Sequence, residues 1–182
     1  IVIMDFANYW NDSSLRFRFE SRYDDVSEPL AEYRVNSDGS LTKLGAPTLL
    51  GVEKNGKWGW VNINNEFIIP PIFDSGFVLC YNGIIIMKKD GYYGALYRST
   101  LSTAFQFRYT YLSHCYNQTF LAHRSDGLQA LIKPGDIQLT DFKYIGFVEY
   151  NHRKDVAKYV RNNFFGMQVS GDINLETGRE LS

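Results

Sequence analysis

His114 and Cys115 are an adjacent pair that could act as base and nucleophile. Such chemistry needs the imidazole within hydrogen-bond reach of the sulfur. Neighbours along a strand point to opposite faces, so an extended segment keeps these two apart. Cys80 stands 35 positions before Cys115, at the same place in the repeat described below. The two thiols are therefore read as small apolar side chains filling a recurring slot, with a disulfide between them open in an oxidising compartment. His114, His123 and His152 lack the i, i+2 or H-E-x-x-H spacing of a metal site. Two cysteines are too few for a four-ligand zinc centre. No metal, no cofactor and no catalytic residue is expected. A sugar hydrolase would need two carboxylates about 5–9.5 Å apart in a groove, and nothing in the repeats places such a pair. Glu20, Asp24 and Asp25 read as solvated surface.

Recognition is the stronger possibility. In FQFRYTYLSHCY (105–116), Phe105, Phe107, Tyr109 and Tyr111 alternate along one predicted strand face, with Arg108 and Tyr116 nearby. An aromatic row beside a guanidinium suits a protein-binding hot spot or a glycan-stacking platform. A core face with hydroxyls at its edge is the plainer reading of the same residues. Tyr150 falls in a later segment of the same kind (145–155) and joins Phe107, Arg108, Tyr109, Tyr111 and Tyr116 as a candidate contact. Segments between repeats carry the variation, and repeat proteins bind through such positions on a constant scaffold.

Composition narrows the partners. The 182 residues are 45% hydrophobic and 16% aromatic, with a formal net charge of -1. The aromatic surplus favours pleated structure. Near-neutrality argues against a general nucleic-acid binder, which needs a basic face to displace counterions. The apolar runs fall far short of a membrane span. IVIMDF lacks the basic segment and cleavage site of an intact signal peptide, so a trimmed start at Ile1 is expected.

The elements that must hold these residues repeat. NGKWG (55–59), DGYYG (90–94), DGLQA (126–130) and NNFFG (162–166) place Gly59, Gly94, Ala130 and Gly166 at steps of 35, 36 and 36. Asn55-Gly56, Asp90-Gly91, Asp126-Gly127 and Asn162-Asn163 suit two-residue hairpin turns with positive φ. A second turn is expected at Asn64-Asn65, Ser99-Thr100, Gly135-Asp136 and Gly171-Asp172, and FDSGFVLCY and YIGFVEYN could add a fourth strand. In the central strand, Trp58 and Trp60, then Tyr93, Gln129 and Phe165 with their partners, face one side, and Gly59, Gly94, Ala130 and Gly166 the other. An intra-strand glycine implies close approach; the expected occupant is a ring from the neighbouring repeat. SLRFRFES (14–21) alternates as a half-exposed strand, YDDVSEPL (23–30) reads as a loop, and HRKDVAKYVR (152–161) has the only helical look.

KWGWVNINNEFIIPPIFD (57–74) resembles the bacterial WG-repeat family, whose units read approximately N-G-K-W-G-Y-I-D-K-x-G-K-x-V-I-P-x-x-Y-D. The match is specific at 55–74, weaker at 90–109, degenerate at 126–145 and partial at 162–181. The resemblance implies an all-β array of antiparallel meanders with structural recurring residues: Asn55, Gly56, Trp58, Gly59, Gly91, Tyr93, Gly94, Gly127, Ala130, Phe165 and Gly166. The repeat spacing divides the chain into four units at about 49–83, 84–118, 119–155 and 156–182, behind an atypical β segment at 1–48 that carries no such resemblance and is expected to cap the array. Propeller-like or barrel-like closure is favoured over an open stack, with an N-terminal strand completing the last sheet. The resemblance also implies a bacterial protein, cytoplasmic or exported with its signal removed. A non-enzymatic module binding another protein is expected. A toxin antagonist, a glycan binder or a glycan hydrolase remain alternatives.

Overall fold

A computed structural model describes residues 5–150 and 153–181, without the side chains of Glu149, Tyr150, Arg153 and Lys154. A short 3-10 turn (Tyr9–Asn11) precedes helix α1 (Ser13–Glu20), and the other regular elements are strands. The N-terminal strands are β1 (Asp25–Pro29), β2 (Glu32–Val35) and β3 (Leu41–Lys43). The first repeat supplies β4 (Leu50–Lys54), β5 (Lys57–Val61) and β6 (Phe67–Phe73). Grouped by sheet, the second takes in β7 (Leu79–Tyr81), which falls within the 49–83 span read from the sequence, with β8 (Ile84–Lys89), β9 (Tyr92–Tyr97) and β10 (Thr103–Tyr109). The third is β11 (Tyr111–Tyr116), β12 (Thr119–His123), β13 (Gln129–Lys133) and β14 (Ile137–Gln138). The fourth is β15 (Tyr144–Tyr150), β16 (Arg153–Asn162), β17 (Gln168–Asn174) and β18 (Glu180–Leu181).

The expected all-β array of antiparallel meanders is what forms. β1, β4, β5 and β6 make one sheet; β10, β9, β8, β7, β2 and β3 make a second. The third and fourth repeats merge into one sheet, because β14 is short and β13 pairs directly with β15 at Gln129 and Tyr144. Among the described residues, the one parallel ladder joins β2 to β7. The N-terminal strand completes the first repeat rather than the last, whose final place is taken by β18.

Turn chemistry separates the early repeats from the late ones. Asn55 and Gly56 (φ 54 and 76) and Asp90 and Gly91 (φ 51 and 85) form the expected two-residue turns. At the third and fourth repeats only the glycine has positive φ, Gly127 (83) and Gly166 (77). There Arg124 and Asn163 open five-residue turns closed by the N–H of Arg124 to the Leu128 carbonyl and of Asn163 to that of Met167. Gly166 therefore matches Gly127, not Ala130, and the fourth copy slips by three residues from its sequence alignment. Phe164 and Phe165 cap this tip at 98% and 80% exposure instead of packing in a central strand. Gly171-Asp172 lies within β17 and is not a turn.

The intra-strand glycines are indeed crowded, but not by a neighbouring repeat. A Cβ on Gly59 would lie 2.7 Å from the Ile69 carbonyl oxygen and the Pro71 nitrogen of the adjacent β6. One on Gly94 would lie 2.8 Å from the Phe105 carbonyl oxygen and the Phe107 ring of β10. Both strands bulge at these points, between Ile69 and Phe73 and between Phe105 and Tyr109. The vacancy accommodates the repeat's own third strand. The Trp58 ring lies over Gly76 of its own repeat, where an added Cβ would meet it at 2.2 Å.

Both faces of β5 are covered, as its apolar sides require. Trp60 packs toward the second sheet with Ile69, Phe73, Ile85 and Met87. Val61 faces Phe6, Tyr9 and Phe19 of the N-terminal cap. SLRFRFES is helical rather than extended: the Asp12 carboxylate accepts the Ser14 and Leu15 N–H groups, Arg16 pairs with Glu20, and Phe19 is buried. YDDVSEPL contributes β1, and HRKDVAKYVR contributes β16, the longest strand. Successive units are latched by one residue. The Asp74 N–H donates to the Lys88 carbonyl, while its carboxylate accepts the Gly91 N–H and the Lys57 ammonium, each at 2.7 Å. Asp24 repeats both backbone contacts one unit earlier, to Glu53 and Asn55.

Candidate binding groove

The aromatic row of 105–116 does not share a face. Thr110 breaks it between two sheets, and the bulge in β10 sends Phe105 and Phe107 into different clusters. Phe105 is fully buried against Phe120, with ring centroids 5.0 Å apart. Phe107 packs on Phe73. Tyr109 is buried, and its hydroxyl donates to Asp136 at 2.7 Å; burial first, then this carboxylate, push its pKa to about 12. Arg108 lies over the Tyr109 ring and 3.6 Å from Asp136. Tyr116 lies against the core of the fourth repeat. The Tyr150 side chain lies outside the described residues. Of the described candidates, Tyr111 lines a groove, with its ring edge-on to Tyr93 and to His123.

That groove has a volume of about 450 Å³ and lies where the second repeat meets the third. Ile86 and Tyr93 from the second sheet form one wall, and Tyr111 and Leu112 of β11 the other. A second groove of about 310 Å³ runs beside it, lined by Pro29, Leu30, Tyr33, Leu41 and the buried Trp60. Phe77, Val78, Leu79 and Tyr81 line both and form the ridge between them.

The ridge is built by the turn before β7. The Ser75 hydroxyl accepts the Phe77 N–H at 3.2 Å, and Gly76 is held beneath the Trp58 ring. With the ring packed against Gly76, the turn sends Phe77 outward, leaving it 73% exposed. A possible fourth strand across FDSGFVLCY hides Phe77 in the sequence; Asp74-Ser75-Gly76 is the turn signal that marks it.

Little in the groove could do covalent chemistry. The His114 ring nitrogen Nε2 is 2.7 Å from the Asn117 carbonyl, and the Cys115 thiol donates to the Thr119 carbonyl at 3.2 Å. Cys80 is buried, and burial pushes its thiol to about 12, which leaves it a poor nucleophile. Cys80 and Cys115 form no disulfide with one another. Among the described residues, no group of three or more His, Cys, Asp or Glu gathers as a metal site. Among the described residues, no helix is long and apolar enough to cross a membrane.

No family model matches the chain, and no curated protein matches it. Solved structures similar to it include BamB from Moraxella catarrhalis, at 11% identity and a TM-score of 0.43, over 82% of this chain and 48% of that one. The WD40 β-propeller domain of Doa1 shares 12% identity with a TM-score of 0.37, over 82% and 52% of the two chains. The WD40 domain of coronin from Toxoplasma gondii shares 6% identity with a TM-score of 0.41, over 75% and 45%. The chain spans about half the length of each. Nothing about its activity follows from likeness at that level.

Proposed function

We propose that this chain is a non-enzymatic protein-binding module, and a divergent relative of the WG-repeat family carrying one full unit at 55–74. The observation behind the first part is the paired groove. Two adjoining apolar hollows, separated by an outward-held phenylalanine, offer a partner both pockets to fill and a ring to receive. A protein partner fits this lining better than a glycan, because aliphatic and aromatic groups outnumber hydrogen-bonding ones there. The proposal moves the binding surface from Tyr109, which is committed to Asp136, to Phe77 with Tyr111.

The test compares wild-type protein with a Phe77→Ser/Tyr111→Ser variant in quantitative affinity capture from extract of the source cell. Both residues are exposed, so the variant is expected to keep its melting behaviour while losing the wild-type partner. An unchanged partner set would overturn the proposal.

A further inference from the structure

The charge lining the larger groove says more about its occupant, granted the reading just given. Lys88 contributes to the wall, with its ammonium 5.5 Å above the Tyr93 ring. Among the described residues, no carboxylate lines this groove. Asp74, whose N–H donates to the Lys88 carbonyl, already gives its carboxylate to Lys57 and Gly91. The smaller groove is the converse, with Glu28 as its one charged lining residue among those described. We infer that the groove between Ile86, Tyr93 and Tyr111 takes an extended acidic peptide, seating an aromatic or aliphatic side chain beside a carboxylate that meets Lys88.

The physical basis is complementarity. An ammonium held over a ring at the mouth of an apolar hollow attracts an anion without any local acid to displace. The side chain of an adjacent Phe or Leu then supplies the buried area. Selectivity over the neighbouring groove follows from the sign of Glu28, which repels the same carboxylate.

Three synthetic probes test this: acetyl-Ala-Phe-Glu-Ala-amide and its counterparts with Gln or Lys in place of Glu. Binding is read from the methyl NMR signals of Ile86 and Leu112 for the larger groove, and of Leu30 and Leu41 for the smaller. The Glu peptide is expected to shift Ile86 and Leu112, with the Gln peptide roughly threefold to tenfold weaker and the Lys peptide weaker still. Lys88→Glu should invert the order, favouring the Lys peptide. Equal affinity for all three peptides at Ile86 and Leu112 would overturn the charge assignment while leaving the groove a binding site. Absence of shifts from every peptide at both grooves would count against the peptide and against the groove itself. Shifts confined to Leu30 and Leu41 would also overturn the inference.

Discussion

The carboxamide of Asn82 donates to the main-chain carbonyl of Asn117 at 2.9 Å, joining residues 35 positions apart that stand at the same corner of successive repeats. Both adopt positive φ, 50 and 45, in hairpin turns that follow a Cys-Tyr pair. The line continues in both directions. The Asn82 side-chain oxygen accepts the Val35 N–H, and the Asn117 carboxamide donates to Glu176. Adjacent repeats are thus tied beside the groove by polar contacts as well as by apolar packing.

Asn82→Ala should remove two hydrogen bonds and place a Cβ residue without local side-chain support in the left-handed region, at roughly 2–4 kcal/mol. Asn82→Gly keeps the backbone permissive and should cost about 1–2 kcal/mol. Chemical denaturation midpoints of the two variants separate the bond from the strain.

Gly59→Ala should destabilise by about 1–3 kcal/mol or more, because the added carbon meets β6 backbone atoms at 2.7 Å that cannot turn aside. Gly146, by contrast, has nothing within 4 Å of an added Cβ and no positive φ. Gly146→Ala should fall within about 0.5 kcal/mol of wild type, measured by the same denaturation.

Much of the first two repeats was legible in the sequence because their turns have the required residues. Asn-Gly and Asp-Gly tolerate two successive positive φ values, so the register of β4 with β5 and of β8 with β9 followed. The fourth repeat misled because Asn163-Phe164-Phe165-Gly166 mimics the spacing of an aromatic-glycine strand. Its Asn163 carboxamide instead accepts the Phe165 and Met167 N–H groups and closes a longer turn. SLRFRFES alternates like a strand, yet Asp12 at its start was a helix cap visible in the chain. The groove was hidden for another reason: Phe77 depends on Trp58 reaching Gly76, a contact between residues 18 apart that no local pattern encodes.

Phe164→Ser/Phe165→Ser should leave stability within about 0.5 kcal/mol per site, since both rings already face water. Trp60→Ala should cost about 3–5 kcal/mol, because that ring is fully buried between the sheets. Thermal unfolding of the two variants checks the assignment of tip and core.

Acid should act through Glu180. Its carboxylate accepts from Arg161 and from the Tyr144 and Tyr159 hydroxyls at 2.9 Å, and the Arg161 guanidinium leads the groups that hold its pKa near 2 against an ordinary 4.5. A carboxylate held low stabilises the fold at pH above 4.5 and loses that contribution as pH falls through about 2. Glu180→Gln should therefore be less stable at pH 7, and its stability should fall less steeply than that of wild type between those limits. Urea titrations across that range measure both.

Photocrosslinking distinguishes the two exposed aromatic surfaces most directly. A benzoylphenylalanine placed at Phe77 and, separately, at Phe164 would be irradiated in extract of the source cell. If the paired groove is the binding surface, a discrete protein adduct forms from position 77 and not from position 164. Adducts from position 164 alone would contradict it and assign binding to the β16–β17 tip.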